Sequence, residues 1–426
     1  MLIASMFLIL LVLILMNVPI AVALAVAGVM GLLATEGVDS LVTVALDMYD
    51  GSTKFSLIAI PMFVLAGAIM NATGITVRLI NFVSALIGFV RGGLAMVNVG
   101  VSLFFAEISG SAVADVAAMG SIMIPEMKKR GYSKEFAAAI TSSSASLAII
   151  IPPSIPMILY AVSAGTSVEQ LFVAGIVPGL LGAAGLMGVA YMFARRYDLP
   201  VEEAFNFKNV RETFVEALPT FALPVIILGG IFGGFVTATE AAGLAVLASI
   251  VVGLWYREVD LRQLKAAMLD GGMQTAVVML LVAASVLMGG FLTRAQVPQQ
   301  IAADLLAFTD NKYVILLILN FFFLIIGFFL HSAAAIILVV PIVIPLIQGA
   351  GIDPVHFGLV VTLNLAIGQQ TPPVASVLIT SCSIARANVW EVTKVNVYFV
   401  AVLLTVLMIC TYVPAVPMFL VEYFYR

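Results

Sequence analysis

Long apolar segments recur along the whole chain and constrain its fold more than any other feature. The chain is 63% hydrophobic and only 10% charged, with a mean hydropathy of +1.18. Its apolar segments reach the length of about 20 residues that an α-helix needs to cross a bilayer. Backbone polar groups must be satisfied internally in hydrocarbon, which leaves helices as the natural solution for such segments. The sequence therefore predicts an all-α polytopic membrane protein.

Several classes of function are excluded by what the sequence lacks. The net charge of -4 argues against nucleic acid as a partner. A phosphate-binding loop of the Gly-x-x-x-x-Gly-Lys-Ser/Thr type is absent, and so are the common catalytic and metal-binding motifs. Cys382 and Cys410 both lie in apolar segments, so we expect no disulfide. The apolar N-terminus lacks a basic leader region, and we expect a retained first helix there rather than a signal peptide.

An internal repeat divides the chain into two halves. Its two Pro-Pro pairs, Pro152-Pro153 and Pro372-Pro373, are separated by 372 - 152 = 220 residues. The same offset relates Pro125 to Pro345. Chance similarity between apolar segments accounts for matching alanines and leucines, but it does not account for these prolines. We therefore predict two copies of one structural unit.

The order of segments within each half predicts an inverted repeat. Two short apolar segments, 92–109 and 111–126, flank Ser109-Gly110-Ser111, and 312–329 and 331–348 flank His331-Ser332. We interpret both pairs as re-entrant hairpins. The Pro-Pro pairs interrupt the long apolar stretches 135–164 and 355–385, because proline removes a backbone donor and clashes with the preceding turn. Each half then crosses five times, which inverts the second half and is typical of secondary transporters.

The distribution of basic residues predicts the orientation. In this topology four of the 19 Lys and Arg residues lie on one side, namely Lys54, Arg294, Lys312 and Arg426, and the other 15 lie opposite. The richer side is cytoplasmic by the positive-inside rule, which places both termini outside. In the alternative, either hairpin crosses the membrane twice, and every charged loop stays on the same side. The basic residues therefore do not distinguish a re-entrant hairpin from two full crossings. Residues 36–53 and 257–270 are interpreted as interfacial arms, with ordinary loops as the alternative.

Clustered oxygen atoms at the two helix breaks predict cation sites. A serine in a membrane helix usually bonds to its own carbonyls or packs a helix contact, but four serines within residues 142–146 cover several faces. Hydroxyls beside freed carbonyls suit Na⁺, and we predict two Na⁺ sites of unequal affinity. The predicted ligands are Ser109, Gly110, Ser111, Ser142, Ser143, Ser144 and Pro152 in the first half, and Ser332, Asn364, Gly368, Gln370, Thr371 and Pro372 in the second.

A substrate site is predicted between the two hairpin tips. Helix N-termini near Ser111, Ser154 and Val374 would point positive dipole ends at this point and favour an anionic group such as a carboxylate. The predicted contacts are Ser111, Ser154, Gln369 and Thr371.

Ionisable residues in apolar segments are further functional candidates. Glu107 and Asp115 flank the first tip and are predicted to serve ion binding or proton coupling, with stabilisation of the hairpin as the alternative. Glu240 is expected to cap the first turn of a helix. We expect His331 to fill the gate at the second tip and His356 to lie at the outer surface.

These motifs together resemble a known family. The Ser-Gly-Ser tip at 109–111, the serine run ending in Ile-Pro-Pro-Ser at 154, Thr-Ala-Thr-Glu-Ala-Ala at 237–242 and the stretch from Asn364 to Pro373 resemble the large permease subunit of tripartite ATP-independent periplasmic (TRAP) transporters. The third motif usually reads Thr-Pro-Thr-Glu in that family, and Ala238 replaces its proline here. The resemblance covers essentially the whole chain.

The resemblance implies an elevator-type fold like that of the ion transporter superfamily. The implied division is a first scaffold part with an arm (1–91), a first transport part with hairpin and broken helix (92–194), a cytoplasmic linker (195–220), a second scaffold part with an arm (221–311) and a second transport part (312–426).

The resemblance also implies a function and partners. It implies Na⁺-coupled import of a carboxylate, such as a C4-dicarboxylate or sialic acid, across the bacterial inner membrane without ATP. A periplasmic binding protein would deliver the substrate, and a separate small four-helix membrane subunit would pair with the chain in the bilayer. The alternatives are a stand-alone Na⁺/dicarboxylate symporter or anion transporter of the same superfamily, and an intramembrane hydrolase, against which the inverted repeat argues.

Overall fold

The computed structural model describes residues 2–16, 18–199, 201, 205–258 and 260–425. The side chains at 2–4, 11, 15, 107–109, 261 and 263 are outside this description. The described chain is helical apart from its turns and one isolated bridge between Arg91 and Val201. Eight of the described helices are long and apolar enough to cross a membrane. The prediction of an all-α polytopic membrane protein is therefore confirmed.

Ten helices form the first half. They are α1 (Leu2–Leu15), α2 (Ile20–Glu36), α3 (Leu41–Ser52), α4 (Ala59–Ala72), α5 (Ile75–Ile87), α6 (Gly93–Ser109), α7 (Ala112–Lys129), α8 (Lys134–Ala145), α9 (Ile155–Ala164) and α10 (Val168–Arg196).

Twelve helices form the second half. They are α11 (Phe207–Ala217), α12 (Ala222–Pro224), α13 (Gly230–Phe232), α14 (Ala238–Trp255), α15 (Leu261–Arg294), α16 (Val297–Phe308), α17 (Lys312–Phe329), α18 (Ser332–Gly349), α19 (Pro354–Gly368), α20 (Ser376–Ala385), α21 (Val389–Tyr412) and α22 (Ala415–Tyr425).

The offset of 220 residues relates the helices of the two halves. It carries α2 onto α14, α6–α10 onto α17–α21, and both α3 and α4 onto the long α15. Contacts between the halves show the same symmetry. Helix α4 packs on α14, and its counterpart contact is α2 on α15. Helix α9 packs on α18, and its counterpart contact is α20 on α7. Each contact has a counterpart with the halves exchanged, as the predicted two-fold inverted repeat requires.

One predicted arm is not a separate element. The stretch 257–270 was expected to form its own surface helix, but most of it is the first part of the 34-residue helix α15. Gly271 and Gly272 do not end this helix. A Cβ at Gly271 would lie 3.6 Å from the Leu65 Cα of α4, an ordinary van der Waals contact, and one at Gly272 would meet nothing within 4 Å. The acidic arm is present as α3, and the short helices α5 and α16 were not predicted.

Both hairpin tips end against the break of their own half. Gly110 has a φ of +57°, and a Cβ there would lie 3.0 Å from the carbonyl oxygen of Pro153. In the second half the N–H of Val374 donates to the carbonyl of Phe328, 3.3 Å away. The helix breaks are therefore where two discontinuous elements meet, and their freed backbone is enclosed by protein.

Candidate functional site

Three oxygen atoms from three helical elements converge at the first break. The hydroxyl Oγ of Ser143 lies 2.7 Å from Oε1 of Gln370 and 2.7 Å from Oδ1 of Asn396. All three residues are buried. Gln370 follows α19 and Asn396 lies on α21, so the second half completes a cluster that begins on α8.

The hydrogen atoms in this cluster do not suffice for its close oxygen contacts. The Nε2 of Gln370 donates to Ser146 Oγ at 2.6 Å, and the Nδ2 of Asn396 donates to the Gln370 carbonyl at 3.2 Å. These bonds fix both amides with their oxygens toward Ser143. A hydroxyl carries one hydrogen, so it can donate to only one of the two oxygens. The other contact of 2.7 Å joins two oxygens without a proton, an arrangement that a cation would relieve.

A chain of polar side chains joins α8 to the first hairpin. Ser144 Oγ donates to Oδ1 of Asn98 at 3.1 Å and accepts from Ser102 Oγ at 3.0 Å, and Nδ2 of Asn98 donates to Thr141 Oγ1 at 2.6 Å. Ser142 Oγ is buried and has no hydrogen-bond partner within the described part of the chain. The unpartnered hydroxyl leaves one further acceptor available near the break.

The second break has its own oxygen groups in a different arrangement. Asn364 takes the position of Ser144 after the 220-residue offset, and its Nδ2 donates to Oδ1 of Asn320 at 2.7 Å. Asn364 Oδ1 is buried without a hydrogen-bond partner among the described residues. Thr371 Oγ1 donates back to the carbonyl of Ile367 at 3.1 Å.

A cavity of about 470 Å³ lies between the two hairpin tips. Polar lining comes from Ser111 at the first tip, His331 and Ser332 at the second, and Gln369 at the second break. The opposite side is closed by apolar residues of α2, α4 and α15 and by one polar residue of α15, Gln274. No Lys, Arg, Asp or Glu is among the described residues that line this central cavity. Any positive potential from its lining must come from helix N-termini.

The structure brings together some predicted site residues and separates others. Ser111 and Gln369 line the central cavity, whereas Ser154 and Thr371 do not. Ser154 is buried, donates to the Ile149 carbonyl at 2.7 Å and caps α9. Further placements are as follows: Gly110 and Ser332 line the central cavity, Gly368 packs on Gly327 of α17, Pro152 and Pro372 lie in the breaks, and Gln370 joins the first cluster rather than Asn364.

The ionisable candidates lie in different environments. The side chains of Glu107 and Ser109 lie outside the described residues. Asp115 is fully buried in the first turn of α7. Glu240 forms a capping box with Thr237 at the start of α14, as expected.

The expectation that His356 lies at the outer surface is wrong. The side chain is buried at 3% exposure, and its Nε2 lies 2.7 Å from the carbonyl of Cys410. The N-terminal position on α19 suggested an exposed turn, but α21 covers this face of the helix.

Five site residues were not predicted from the sequence. They are Asn98, Ser102, Asn320, Asn396 and Thr411, which take part in the clusters at the two breaks. Each is a polar residue flanked by apolar ones in a helix of mainly apolar sequence. Intramembrane polarity of this kind is the signal that identifies them, because unpaired polar groups are costly in hydrocarbon.

Comparison with solved structures finds a similar fold. The chain resembles the structure described as "Crystal structure of the Alcanivorax borkumensis YdaH transporter reveals an unusual topology", with a TM-score of 0.65 over 89% of each chain. The sequence identity is 15%, so this likeness concerns the fold alone.

Comparison with known sequences finds transporter permeases. The isethionate TRAP transporter permease protein DctMQ of Oleidesulfovibrio alaskensis is 38% identical over 95% of this chain and 64% of its own length. The C4-dicarboxylate TRAP transporter large permease protein DctM of Pseudomonas aeruginosa is 38% identical over 89% of both chains.

A family profile covers nearly the whole chain. Residues 7–416 match the family described as "Tripartite ATP-independent periplasmic transporter, DctM component". The match includes both hairpins, both helix breaks and the central cavity between them. The chain therefore belongs to the DctM component family of tripartite ATP-independent periplasmic transporters, and it is a membrane transporter subunit rather than an enzyme.

Proposed function

We propose that this chain forms the membrane pathway of a Na⁺-coupled importer of an organic acid, with a carboxylate such as a C4-dicarboxylate or sialic acid as substrate. The observation that carries the proposal is the central cavity, which is bounded by both hairpin tips and adjoins buried oxygen clusters at both helix breaks. Gln369 of the cavity lining is the chain neighbour of Gln370 in the first cluster and lies five residues after Asn364 in the second.

The chemistry of the clusters favours a hard monovalent cation. Ser143, Gln370 and Asn396 offer neutral oxygens that converge without enough hydrogens to bond one another. Ser142 Oγ and Asn364 Oδ1 are buried oxygens with unused acceptor capacity within the described chain. Neutral oxygen ligands suit Na⁺, since they require no charge to be buried in the empty site. The two breaks differ in ligand type, which supports two sites of unequal affinity.

The central cavity suits an anionic group through its helix ends. Helix α7 begins at Ala112 and α18 begins at Ser332, and both N-termini line the cavity. Their free N–H groups and positive dipole ends favour a carboxylate or a related anion. The names of the two relatives, isethionate and C4-dicarboxylate permeases, share this anionic character.

An elevator movement would carry the site across the membrane. The moving parts are residues 92–194 and 312–426, the scaffold parts are 1–91 and 221–311, and the linker is 195–220. On the scaffold side the central cavity meets apolar residues of α2, α4 and α15 and a single polar one, Gln274, so few polar contacts would break during sliding. The buried clusters lie within the moving parts and would travel intact.

The family implies two partners. These are a small membrane subunit and a periplasmic substrate-binding protein, and family membership also implies the bacterial inner membrane. We further propose that both termini lie in the periplasm, because this orientation places 15 of 19 basic residues in the cytoplasm.

Reconstitution tests the proposal directly. The chain, its small subunit and its binding protein are placed in proteoliposomes, and uptake of succinate, isethionate and N-acetylneuraminate is measured with and without an inward Na⁺ gradient. We expect uptake of one acid that requires both the gradient and the binding protein. Uptake that is independent of Na⁺ contradicts the coupling, and uptake by the chain alone favours a stand-alone symporter.

A further inference from the structure

A second cavity continues the line of the central cavity along the same helices. It has a volume of about 260 Å³, and we call it the outer cavity. On α15 the central cavity ends at Leu281 and the outer cavity begins at Val282. On α18 the lining passes from Ala334 to Ile337, and on α9 it passes from Pro156 to Leu159. The two cavities are therefore stacked in one seam between α15 and the α9–α18 pair.

An apolar layer separates the two cavities. Leu159 of α9, Val282 of α15 and Ile337 of α18 line the outer cavity where it approaches the central one. Their side chains are 1%, 5% and 7% exposed, so this layer is closed to water. A solute in the outer cavity would stand one or two helical turns from the hairpin tips.

The outer cavity holds two cationic side chains. Arg294 contributes to its lining and pairs with Glu36 and Asp47, each at 3.2 Å, so its charge is largely compensated. Lys54 also lines the cavity, and its Nζ lies 3.5 Å from the carbonyl oxygen of Val162. It makes no ion pair within the described part of the chain, and its charge is therefore available to a ligand.

The two cavities differ in the charged side chains that line them. The central cavity has no lysine or arginine in its described lining, whereas the outer cavity has two of the four basic residues assigned to the outer side, beside one carboxylate, Asp47, which pairs with Arg294. An anion arriving from outside would meet the ammonium group of Lys54 before it reached the helix N-termini. Long-range attraction of this kind concentrates anions at a site and speeds their capture.

We propose that the outer cavity is an anion subsite, in which Lys54 holds the carboxylate or sulfonate group of the acid before it passes the apolar layer. Arg294, fixed by its two carboxylate partners, forms the rim and adds hydrogen-bond donors. This inference rests on the proposed direction of transport, which makes this side the outer one.

A labelling experiment tests the charge without depending on transport. Ser163 lines the outer cavity and is partly exposed, whereas the natural Cys382 and Cys410 are buried. In Ser163→Cys, the reaction rates with an anionic and a cationic methanethiosulfonate reagent are compared at low salt. A unit charge about 7 Å from the thiol changes this ratio by roughly seven-fold, because each rate changes about 2.7-fold and the two reagents respond in opposite directions. We expect Lys54→Gln to lower the ratio of anionic to cationic rate by that factor.

Lys312→Gln is the matched control. It removes the same charge from the same side of the protein, but Lys312 lines a different cavity. We expect this variant to keep the wild-type ratio, and Lys54→Arg to keep it also. An unchanged ratio in Lys54→Gln overturns the proposal. In proteoliposomes, Lys54→Gln is expected to raise the concentration of loaded binding protein needed for half-maximal uptake about five-fold, with unchanged Na⁺ dependence.

The two proposals fail in different ways. If the wild-type complex takes up none of succinate, isethionate and N-acetylneuraminate, the proposed function is wrong for these acids, but the labelling ratio still reports on the anion subsite. If uptake is normal and Lys54→Gln changes neither uptake nor labelling, the proposed function stands and the subsite is refuted.

Discussion

Ser143→Ala is the sharpest test of the cation cluster. Without a cation, the substitution removes one hydrogen bond, worth about 1 kcal/mol, and it also removes the close oxygen contact that lacks a proton. The two effects oppose each other, so the fold should change little in stability. With a cation, the substitution removes a ligand oxygen. An interaction between a charge and a polar group contributes about 1.5–3 kcal/mol, which corresponds to a roughly 10- to 150-fold weaker affinity.

The assay separates these two effects. The melting temperature of the purified protein is measured in detergent against rising NaCl with ionic strength held by KCl, because a ligand of the native state raises it by mass action. Ser143→Ala should need a 10- to 150-fold higher Na⁺ concentration for the same rise, as estimated above from the free energy of one ligand. Ser381→Ala is the control, since this buried serine donates to the Leu378 carbonyl of its own helix and lies outside the clusters at the breaks. Equal Na⁺ titrations of Ser143→Ala and wild type, or of Ser143→Ala and Thr371→Ala, would refute the reasoning.

Three further predictions concern the central cavity, the fold and the cytoplasmic side. His331→Ala removes a donor from the central cavity and should raise the KM for the transported acid about five-fold, with unchanged Na⁺ dependence in proteoliposomes. Gly368→Ala should lower the free energy of unfolding by about 2 kcal/mol in thermal unfolding, because its Cβ would lie 2.5 Å from a backbone atom of α17. Gly243→Ala, whose Cβ would meet open space, should leave the stability unchanged. The guanidinium of Arg78 lowers the pKa of Glu258 below 4.5. The stabilisation of the fold relative to Glu258→Gln should therefore be complete above pH 4.5, amount to at most about 1 kcal/mol, and disappear as the pH falls through the lower pKa of the folded state. A difference in stability that persists in acid contradicts this.

The repeat explains why so much of the fold could be predicted from the sequence. The Pro-Pro pairs and their 220-residue offset locate both breaks, and the breaks locate the hairpins that precede them. Each copy thus supports the interpretation of the other. The prediction failed where a helix continued without a local reason to stop, as in α15, which runs through Gly271 and Gly272 without a break.

The candidate site was less predictable because it depends on tertiary contacts. The serines near the first break are visible as a cluster in the sequence, but Asn396 lies 253 residues after Ser143 and has only apolar neighbours to mark it. The sequence also does not show in which direction each glutamine side chain points. Gln369 and Gln370 are adjacent, yet the first lines the central cavity and the second reaches the cluster on α8. Only the turn geometry after α19 separates their directions.

This divergence of adjacent glutamines has a consequence for coupling. Gln370 is part of the candidate cation cluster, and Gln369 faces the solute, with one peptide bond between them. On the proposed function, a cation that fixes the Gln370 side chain also fixes the short turn that presents Gln369. The turn holds a Pro-Pro pair, so it has few backbone conformations with which to absorb a change. Cation and anion binding would then favour the same arrangement of one turn, and each would strengthen the other by the same factor, because coupling between two sites is reciprocal.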